Sequence, residues 1–432
     1  MKYIHTFTIL FSLSLFIGCQ SNQQENQITD PQDYNVYLSS TDTKSYDYLV
    51  SDLNFWTQKL HKTPNQYPYL GKLAQVESTL FSITADIDNL LKAEKHLVAL
   101  NAKTAFKNAG TLRALARNYI SQHRFKEALV ALQKAEIVGE NLLGTQKMLF
   151  DVFLELGDYQ NAEHYLTIIQ NFSDFDYLIR ASKWNDHLGD LDTAIRLLEK
   201  ATTIAVSAKN TNLMIWSFTN LADFYGHNNQ IQKSYTYYLK ALELDPANAY
   251  AKKGIAWIVY SHEKNSEEAL RIIDHVIEYH PSPDYFLLKA EIEDYRGNIT
   301  NKIKNINTYL SLVKNKKYGD MYNHYNAQLY LDDLNKNIEA FQLIETELQN
   351  RSTPLSYDLL AWAYYKERSY EKALQISENF VKGHTYEPQA MYHLAEIYKA
   401  NKKFKEVKEL KNELLESAYE LGPLLTSKIK ML

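Results

Sequence analysis

Residues 215–246 read IWSFTNLADFYGHNNQIQKSYTYYLKALELDP, and how this stretch folds decides how the chain folds. Phe218, Leu221, Ala222 and Tyr225 fall at i, i+3, i+4 and i+7, which is one apolar stripe of a helix. A polar turn, Gly226-His227-Asn228-Asn229, separates them from a second stripe at Ser234, Tyr238 and Ala241. Pro246 then stops the second helix, because proline has no backbone N–H and clashes with the preceding turn. Two short amphipathic helices joined by a tight turn cannot bury their apolar faces alone. Such a unit needs neighbours of its own kind.

The chain supplies them. The pair Leu221-Ala222 on the first helix has counterparts at Leu73-Ala74, Leu115-Ala116, Ile255-Ala256, Leu360-Ala361 and Leu394-Ala395, with the alanine alone at Ala290 and Ala327. The second helix carries a small residue for its crossing with the first: Ala93, Ala128, Ala162, Ala194, Ser234, Ala269, Ala340 and Ala373. Closely crossing helices need small side chains where the axes approach, with large ones in the flanking grooves. Ala128 to Ala162 is a step of 34 residues, and Pro354 to Pro388 is another. Leu156-Gly157-Asp158-Tyr159 and Leu188-Gly189-Asp190-Leu191 mark equivalent turns. The step from Ala194 to Ser234 is 40 residues, which predicts an insertion around Ser207 to Asn212. Lys302 and Val407 stand where the small residue is expected, and Lys314 to Tyr318 is a basic loop.

With eight or more matches in register, the sequence resembles the tetratricopeptide-repeat (TPR) family, whose period is about 34 residues. The resemblance implies an all-α fold: a right-handed α-solenoid superhelix of about ten TPR-like helical hairpins. The expected organisation is a TPR array over 67–415, an N-terminal capping helix over 45–66 and C-terminal capping helices over 416–432. Leu49, Leu53, Trp56 and Leu60 form the apolar face of the N-terminal cap.

The first 44 residues read differently. Met1-Lys2, the apolar run Phe7 to Ile17, then Gly18-Cys19 have the order of a secretory signal, expected to span 1–18. Leu15-Phe16-Ile17-Gly18-Cys19 resembles a bacterial lipobox, which implies lipid attachment at Cys19, with Phe16 at a place where leucine is commoner. Cys19 is the only cysteine, so no disulfide and no cysteine catalysis are expected. Residues 19–44 are polar and read as a lipid-anchored flexible tether. The whole resembles TPR lipoproteins of the Bacteroidota, flavobacterial type. Gln20 is not an acidic retention residue, which favours the periplasmic face of the outer membrane over the inner membrane. The cell surface is the alternative.

The charge balance, 47 Lys+Arg against 52 Asp+Glu, argues against a nucleic-acid binder that works through bulk positive charge. Removing 1–18 takes away Lys2 alone, leaving 46 against 52, a net −6. Scarce Gly (13) and Pro (9) suit helices. No HExxH, phosphate-binding glycine loop or Gly-x-Ser-x-Gly elbow occurs. The thirteen histidines lack metal-ligand spacing; a close pair, His275 and His280, is five apart. The expectation is no enzyme, no cofactor and no metal.

Function is therefore sought on the concave face, which first helices line. Residues two before the Leu of each Leu-Ala pair and one after the Ala should face it: Arg113, Arg117, Lys147, Asp151, Lys183, Thr219, Asp223, Lys253, Trp257, Leu287, Glu291, Asp358 and Trp362. Trp216 and His227 join them as residues that packing of the opening stretch does not require. The expected partner-binding set is Arg113, Arg117, Lys147, Lys183, Trp216, Thr219, Asp223, His227, Lys253, Trp257 and Trp362. Arginine and lysine in such a groove can clamp a carboxylate, although the asparagine of a TPR carboxylate clamp is not in place. The reading is a lipid-anchored scaffold that binds a protein or peptide partner and helps organise an envelope complex. The alternative is a SusD-like glycan-binding lipoprotein, which combines an anchor, TPR helices and exposed aromatics.

Overall fold

The computed structural model describes residues 27–38 and 43–432. A short helix, α1 (Pro31–Leu38), and a longer one, α2 (Thr43–Lys62), precede the hairpins. The first five hairpins are α3/α4 (Pro68–Thr84, Ile87–Lys103), α5/α6 (Ala109–Ser121, Phe125–Val138), α7/α8 (Leu142–Leu156, Tyr159–Ile168), α9/α10 (Phe175–His187, Leu191–Ser207) and α11/α12 (Thr211–His227, Ile231–Leu244). The next five are α13/α14 (Ala249–Trp257, Ser266–Tyr279), α15/α16 (Asp284–Tyr295, Ile299–Val313), α17/α18 (Asn323–Asp332, Asn337–Asn350), α19/α20 (Pro354–Lys366, Tyr370–Phe380) and α21/α22 (Pro388–Ala400, Phe404–Glu416). Helix α13 runs on through a π-helical segment, Ile258–His262, and α23 (Ala418–Lys430) ends the chain. No strand occurs among the described residues. The fold is the expected all-helical solenoid.

The crossing positions explain the stack. Ala93, Ala128, Ala162, Ala194, Ser234, Ala269, Ala340 and Ala373 all have 0% exposure, so each lies wholly inside a helix–helix contact. Where the pattern breaks, charge takes over: Lys302 Nζ reaches Asp294 at 2.8 Å and Asp333 at 2.6 Å. Sequential hairpins are also cross-linked by polar pairs, including Glu94–Arg124, Asp151–Arg180 and Glu155–Lys183. The predicted insertion is not a loop. Helices α10 and α11 are each 17 residues long, so the extra residues are taken up as helix on either side of a short turn.

Every hairpin turn has one residue with a left-handed backbone: Ala85, His123, Gly157, Gly189, Asn229, Lys264, Gly297, Asn335, Arg368 and Lys402. Glycine reaches this region without a Cβ penalty, whereas the other residues hold it under strain. The following residue often caps the second helix, as Asp158, Asp190, Asn265 and Asn298 do through side-chain oxygens.

Part of the expected tether is ordered. Residues 27–38 lie against α12 and α14, with Tyr34 and Leu38 buried in the core that also holds Phe218, Tyr235 and Ile273. Glu263 clamps the segment: its carboxylate accepts from Ile28 N at 2.8 Å, Thr29 N at 2.7 Å and Thr29 Oγ1 at 3.0 Å. Tyr34 OH donates to Glu268 at 2.7 Å. A mean polarity that reads as unfolded thus conceals two anchor side chains and a row of donors that a repeat can satisfy. The signal peptide, Cys19, residues 20–26 and residues 39–42 lie outside the described residues. Helix α2 packs on α3 through Trp56 and Tyr69, whose rings are 5.4 Å apart.

The last helix is not simply a cap. Gly422, at φ 73°, kinks α23, and the first turn of α23 packs into the concave side of the central hairpins. The array therefore winds until its C-terminal half meets its N-terminal half. Lys126 Nζ donates to Gln349 O at 2.5 Å, Arg351 pairs with Glu155 at 3.3 Å, and His280 Nδ1 lies 3.2 Å from Ile83 O.

Two predictions follow from this packing. Gly157→Ala should cost about 1–3 kcal/mol, because a left-handed residue would gain a Cβ only 2.9 Å from Ser352 O. Arg368→Gly should instead raise the melting temperature, since it relieves backbone strain in a turn. Thermal unfolding of the two variants, with opposite signs expected, checks the assignment. Separately, Glu263→Ala should speed amide exchange over residues 28–38 by about tenfold or more, because the clamp's charged hydrogen bonds are lost, while the hairpins remain protected.

Candidate functional site

The residues expected on an open groove meet different fates. Lys147 is only 8% exposed, and its ammonium sits 2.9 Å from Asp174 and 3.0 Å from Asp176. Thr219 is buried, and its hydroxyl bonds back to Ile215 O and Trp216 O on its own helix. Trp362 is 5% exposed, stacked between Tyr365 at 4.6 Å and His393 at 4.1 Å, with Nε1 donating to Asp332 at 2.9 Å. These three are structural, and the expectation that they contact a partner is corrected. Each found a carboxylate, carbonyl or ring on the neighbouring turn or hairpin that spacing alone does not reveal.

The remaining residues divide further. Asp223 accepts from Tyr250 OH at 2.6 Å and from Tyr238 OH, so it ties α11 to α12 and α13. Burial raises its carboxyl pKa, and the two tyrosine hydroxyls oppose that rise. Arg113 caps the next hairpin, donating to Glu140 O at 2.8 Å and Thr145 Oγ1 at 3.1 Å. Lys253 lies 3.6 Å from Asp284. Arg117 is exposed, and Trp216, 40% exposed, meets Phe175 edge-on. Most cations of the expected basic face are therefore neutralised within the array.

Trp257 has a partner already, and it is the chain itself. Its Nε1 donates to Tyr419 O at 3.2 Å, and Ser261 Oγ donates to the same carbonyl with 2.5 Å separation. The Tyr419 ring covers Gly226, where a Cβ would come within 2.6 Å of it. Gly422 sits against Trp257 and Glu291, where a Cβ would be 3.1 Å and 2.9 Å from their atoms. The central groove is thus filled by the first turn of α23.

What stays open is a chamber of about 590 Å³ where the two arms approach. Its N-terminal wall presents His123, Glu155, Lys183, Asp186, His187 and His227; its C-terminal wall presents His324, Arg351, Tyr386, Glu387 and Glu420. Of the partner-binding set expected from sequence, only Lys183 and His227 line it. The C-terminal contributors were missed because nothing in a local repeat pattern says which distant turn will face which.

The chamber is electrically divided. At one end Glu155 pairs with Lys183 at 2.7 Å and Arg351 at 3.3 Å. Burial opposes its charge, yet these two cations hold its pKa below the usual range. At the other end Asp186, Glu387 and Glu420 converge on His227. Burial raises all three carboxyls, and Glu387 is pushed further by Glu420 and Asp186. None of the three is in an ion pair among the described residues. Burial lowers the imidazole of His187, and that of His324 is brought down to about 4.

A second buried group lies behind the chamber. His393 Nδ1 is 2.8 Å from Asp358, and both are almost fully enclosed. Burial disfavours a charged imidazole, but Asp358's charge and hydrogen bond outweigh it, so the His393 pKa is raised. With Trp362 stacked on the ring, this pair fixes α19 to α21.

A comparison with known proteins agrees with the repeat unit. Residues 217–248, the α11/α12 hairpin, match the family model described as Tetratricopeptide repeat. No curated protein matches the chain. Among solved structures, a tetratricopeptide repeat protein from Parabacteroides merdae is 17% identical, with TM-score 0.36, over 68% of this chain and 98% of that one. The yeast Tom70 structure is 12% identical, with TM-score 0.36, over 93% and 96%. A Pseudomonas aeruginosa pilF structure is 14% identical, with TM-score 0.37, over 49% and 96%. At these scores the likenesses carry no argument about function.

The His393–Asp358 pair makes a pH prediction with a definite sign. A histidine raised in the folded state stabilises fully below its unfolded value, near 6.5, and this contribution is lost as pH climbs through the raised value. Chemical denaturation of wild type should show that loss above pH 6.5. Asp358→Asn should be less stable at pH 6, and the loss above pH 6.5 should be flattened. An unchanged slope in the variant would remove the pair from the account.

Proposed function

We propose that the protein is a lipid-anchored scaffold that captures a peptide segment of a protein partner in the chamber between its two arms, and that this capture helps organise an envelope complex. The observation that carries the reading is where the concave face stays open. The central groove is occupied by α23, whereas the chamber offers volume, aromatic surface and charge of both signs. A TPR-type scaffold works by holding a partner segment against its concave surface. We read the protein as a binding scaffold, with no enzymatic role.

The chamber's polarity specifies the segment. Asp186, Glu387 and Glu420 are carboxylates without an ion-pair partner among the described residues, in surroundings that penalise their charge. A lysine or arginine of the partner placed among them relieves that penalty and gains charge-assisted hydrogen bonds. Tyr386, exposed beside Gly189, supplies an apolar wall for the neighbouring residue of the segment. The glycan-binding alternative is not taken further, because the described chain between Pro68 and Glu416 is hairpins and short turns.

Membrane attachment through Cys19 and a place on the periplasmic face of the outer membrane belong to the same proposal. Their support is the run Leu15 to Cys19 and Gln20 after it.

Two measurements test the halves of the reading separately. Labelled fatty acid should be incorporated into the wild type in the native cell, and Cys19→Ser should abolish incorporation; labelling that persists in the variant removes the anchor. A photo-crosslinking residue at His227 should trap a distinct protein band, and the same residue at Val130, on the outer side of α6, should not. Glu420→Lys should weaken the His227 band by about tenfold or more. Equal trapping from both positions would remove the chamber as the binding surface.

A further inference from the structure

The clamp on the N-terminal segment has a consequence for how the body meets a membrane. Eight peptide steps separate Cys19 from Gln27, the first described residue. Even fully extended, they reach at most about 26–29 Å. Ile28 and Thr29, just past the end of this leash, are held at one point on the array by Glu263. The surface around Glu263 must therefore lie near the headgroups whenever Cys19 is in the bilayer.

Lysines gather at one edge of that surface. Lys264 follows Glu263 directly, and Lys430 at the end of α23 is close enough to press on its charge. Lys428 is two residues earlier in sequence on the same helix and faces Glu291 at longer range. Lys411 Nζ donates to Lys430 O at 2.8 Å, and Lys399 Nζ reaches Met431 O at 3.4 Å, which gathers α21, α22 and α23 at this corner. Lys264, Lys428 and Lys430 are exposed. Among the described residues none of the five lysines is in an ion pair; Lys264, Lys399 and Lys411 bond to backbone carbonyls instead. The C-terminal end of a helix favours cations, so the cluster is also stable where it is. Met431, 73% exposed, adds an apolar side chain at its centre. This concentration occurs on a chain whose total charge is −5.

We propose that the corner formed by Lys264, Lys399, Lys411, Lys428 and Lys430 docks on an anionic phospholipid surface. The lipid at Cys19 and the lysine corner are then the two signals of a stable peripheral attachment, since one acyl group and a polybasic patch reinforce each other. Docking turns the α12–α14 side and the end of α23 toward the bilayer. The orientation is fixed by contact, in place of a body that stands off on a long tether. The inference rests on the anchor proposed above for its biological setting, but the patch is tested without it.

The chain from Gln20 onward contains every described residue and carries no lipid, so it isolates the patch. It should co-sediment with vesicles of phosphatidylcholine and phosphatidylglycerol at roughly three to one, and not with phosphatidylcholine alone. Raising the salt from low to about 0.5 M should release it, because exposed charges are screened. The triple variant Lys264→Glu/Lys428→Glu/Lys430→Glu should bind about tenfold more weakly or less, with unchanged helicity. A variant with the same charge change elsewhere, Lys95→Glu/Lys107→Glu/Lys209→Glu, should bind as the parent does. Equal binding to both vesicle types, or equal loss in the two triple variants, overturns the proposal. A failure of fatty-acid labelling at Cys19 would remove the anchor and leave this result standing on its own.

Discussion

The structure depends on one steric condition, repeated along the chain: a side chain no larger than serine or alanine where the second helix of a hairpin crosses the first. Eight such positions are wholly buried, from Ala93 to Ala373. Close crossing lets the large residues interlock, and the left-handed turn residue just before each second helix sets the angle at which the chain returns. Where Lys302 breaks the rule, two aspartates on α15 and α17/α18 take its ammonium and the stack continues. Shape and charge are interchangeable there because the position lies at the edge of the contact.

Stacking so many hairpins generates curvature, and here the curvature runs until the array meets itself. That closure decides which part of the concave face stays open more than any single repeat does. It lets α23 fill the central groove, through Tyr419 O on Trp257 and Ser261, and leaves the chamber between the arms as the open concave surface. The same closure brings the C-terminal lysines beside Glu263, which holds the start of the described chain. The start of the described chain and the end of α23 are therefore parts of one corner.

The hairpins were legible in the sequence because their cause is local. Spacing of apolar residues, small crossing residues and Gly-Asp turns all act within one period, and the pairs from Leu221-Ala222 to Leu394-Ala395 are buried as their pattern predicts, with Leu360 alone only partly so. The residues of the site were far less legible. Lys147, Thr219 and Trp362 have the right register for a groove, yet each is satisfied by a neighbour: Asp174, Ile215 O and Asp332. Register says which way a helix face points. It does not say what the next hairpin places there, and it says nothing of contacts such as Arg351 with Glu155, almost two hundred residues apart. Residues 27–38 were hidden for a related reason, since their mean polarity outweighs the two side chains, Tyr34 and Leu38, that dock them.

The claim on which the rest stands is that the two halves of the array close on one another. Spin labels placed at Lys126 and Gln349, in a chain with Cys19→Ser so that no other thiol is present, measure it directly. These positions are in contact across the closure. A single narrow distribution at the shortest measurable separations is the predicted result. A long or broad distribution would mean an open solenoid, with the central groove uncovered and no chamber between the arms.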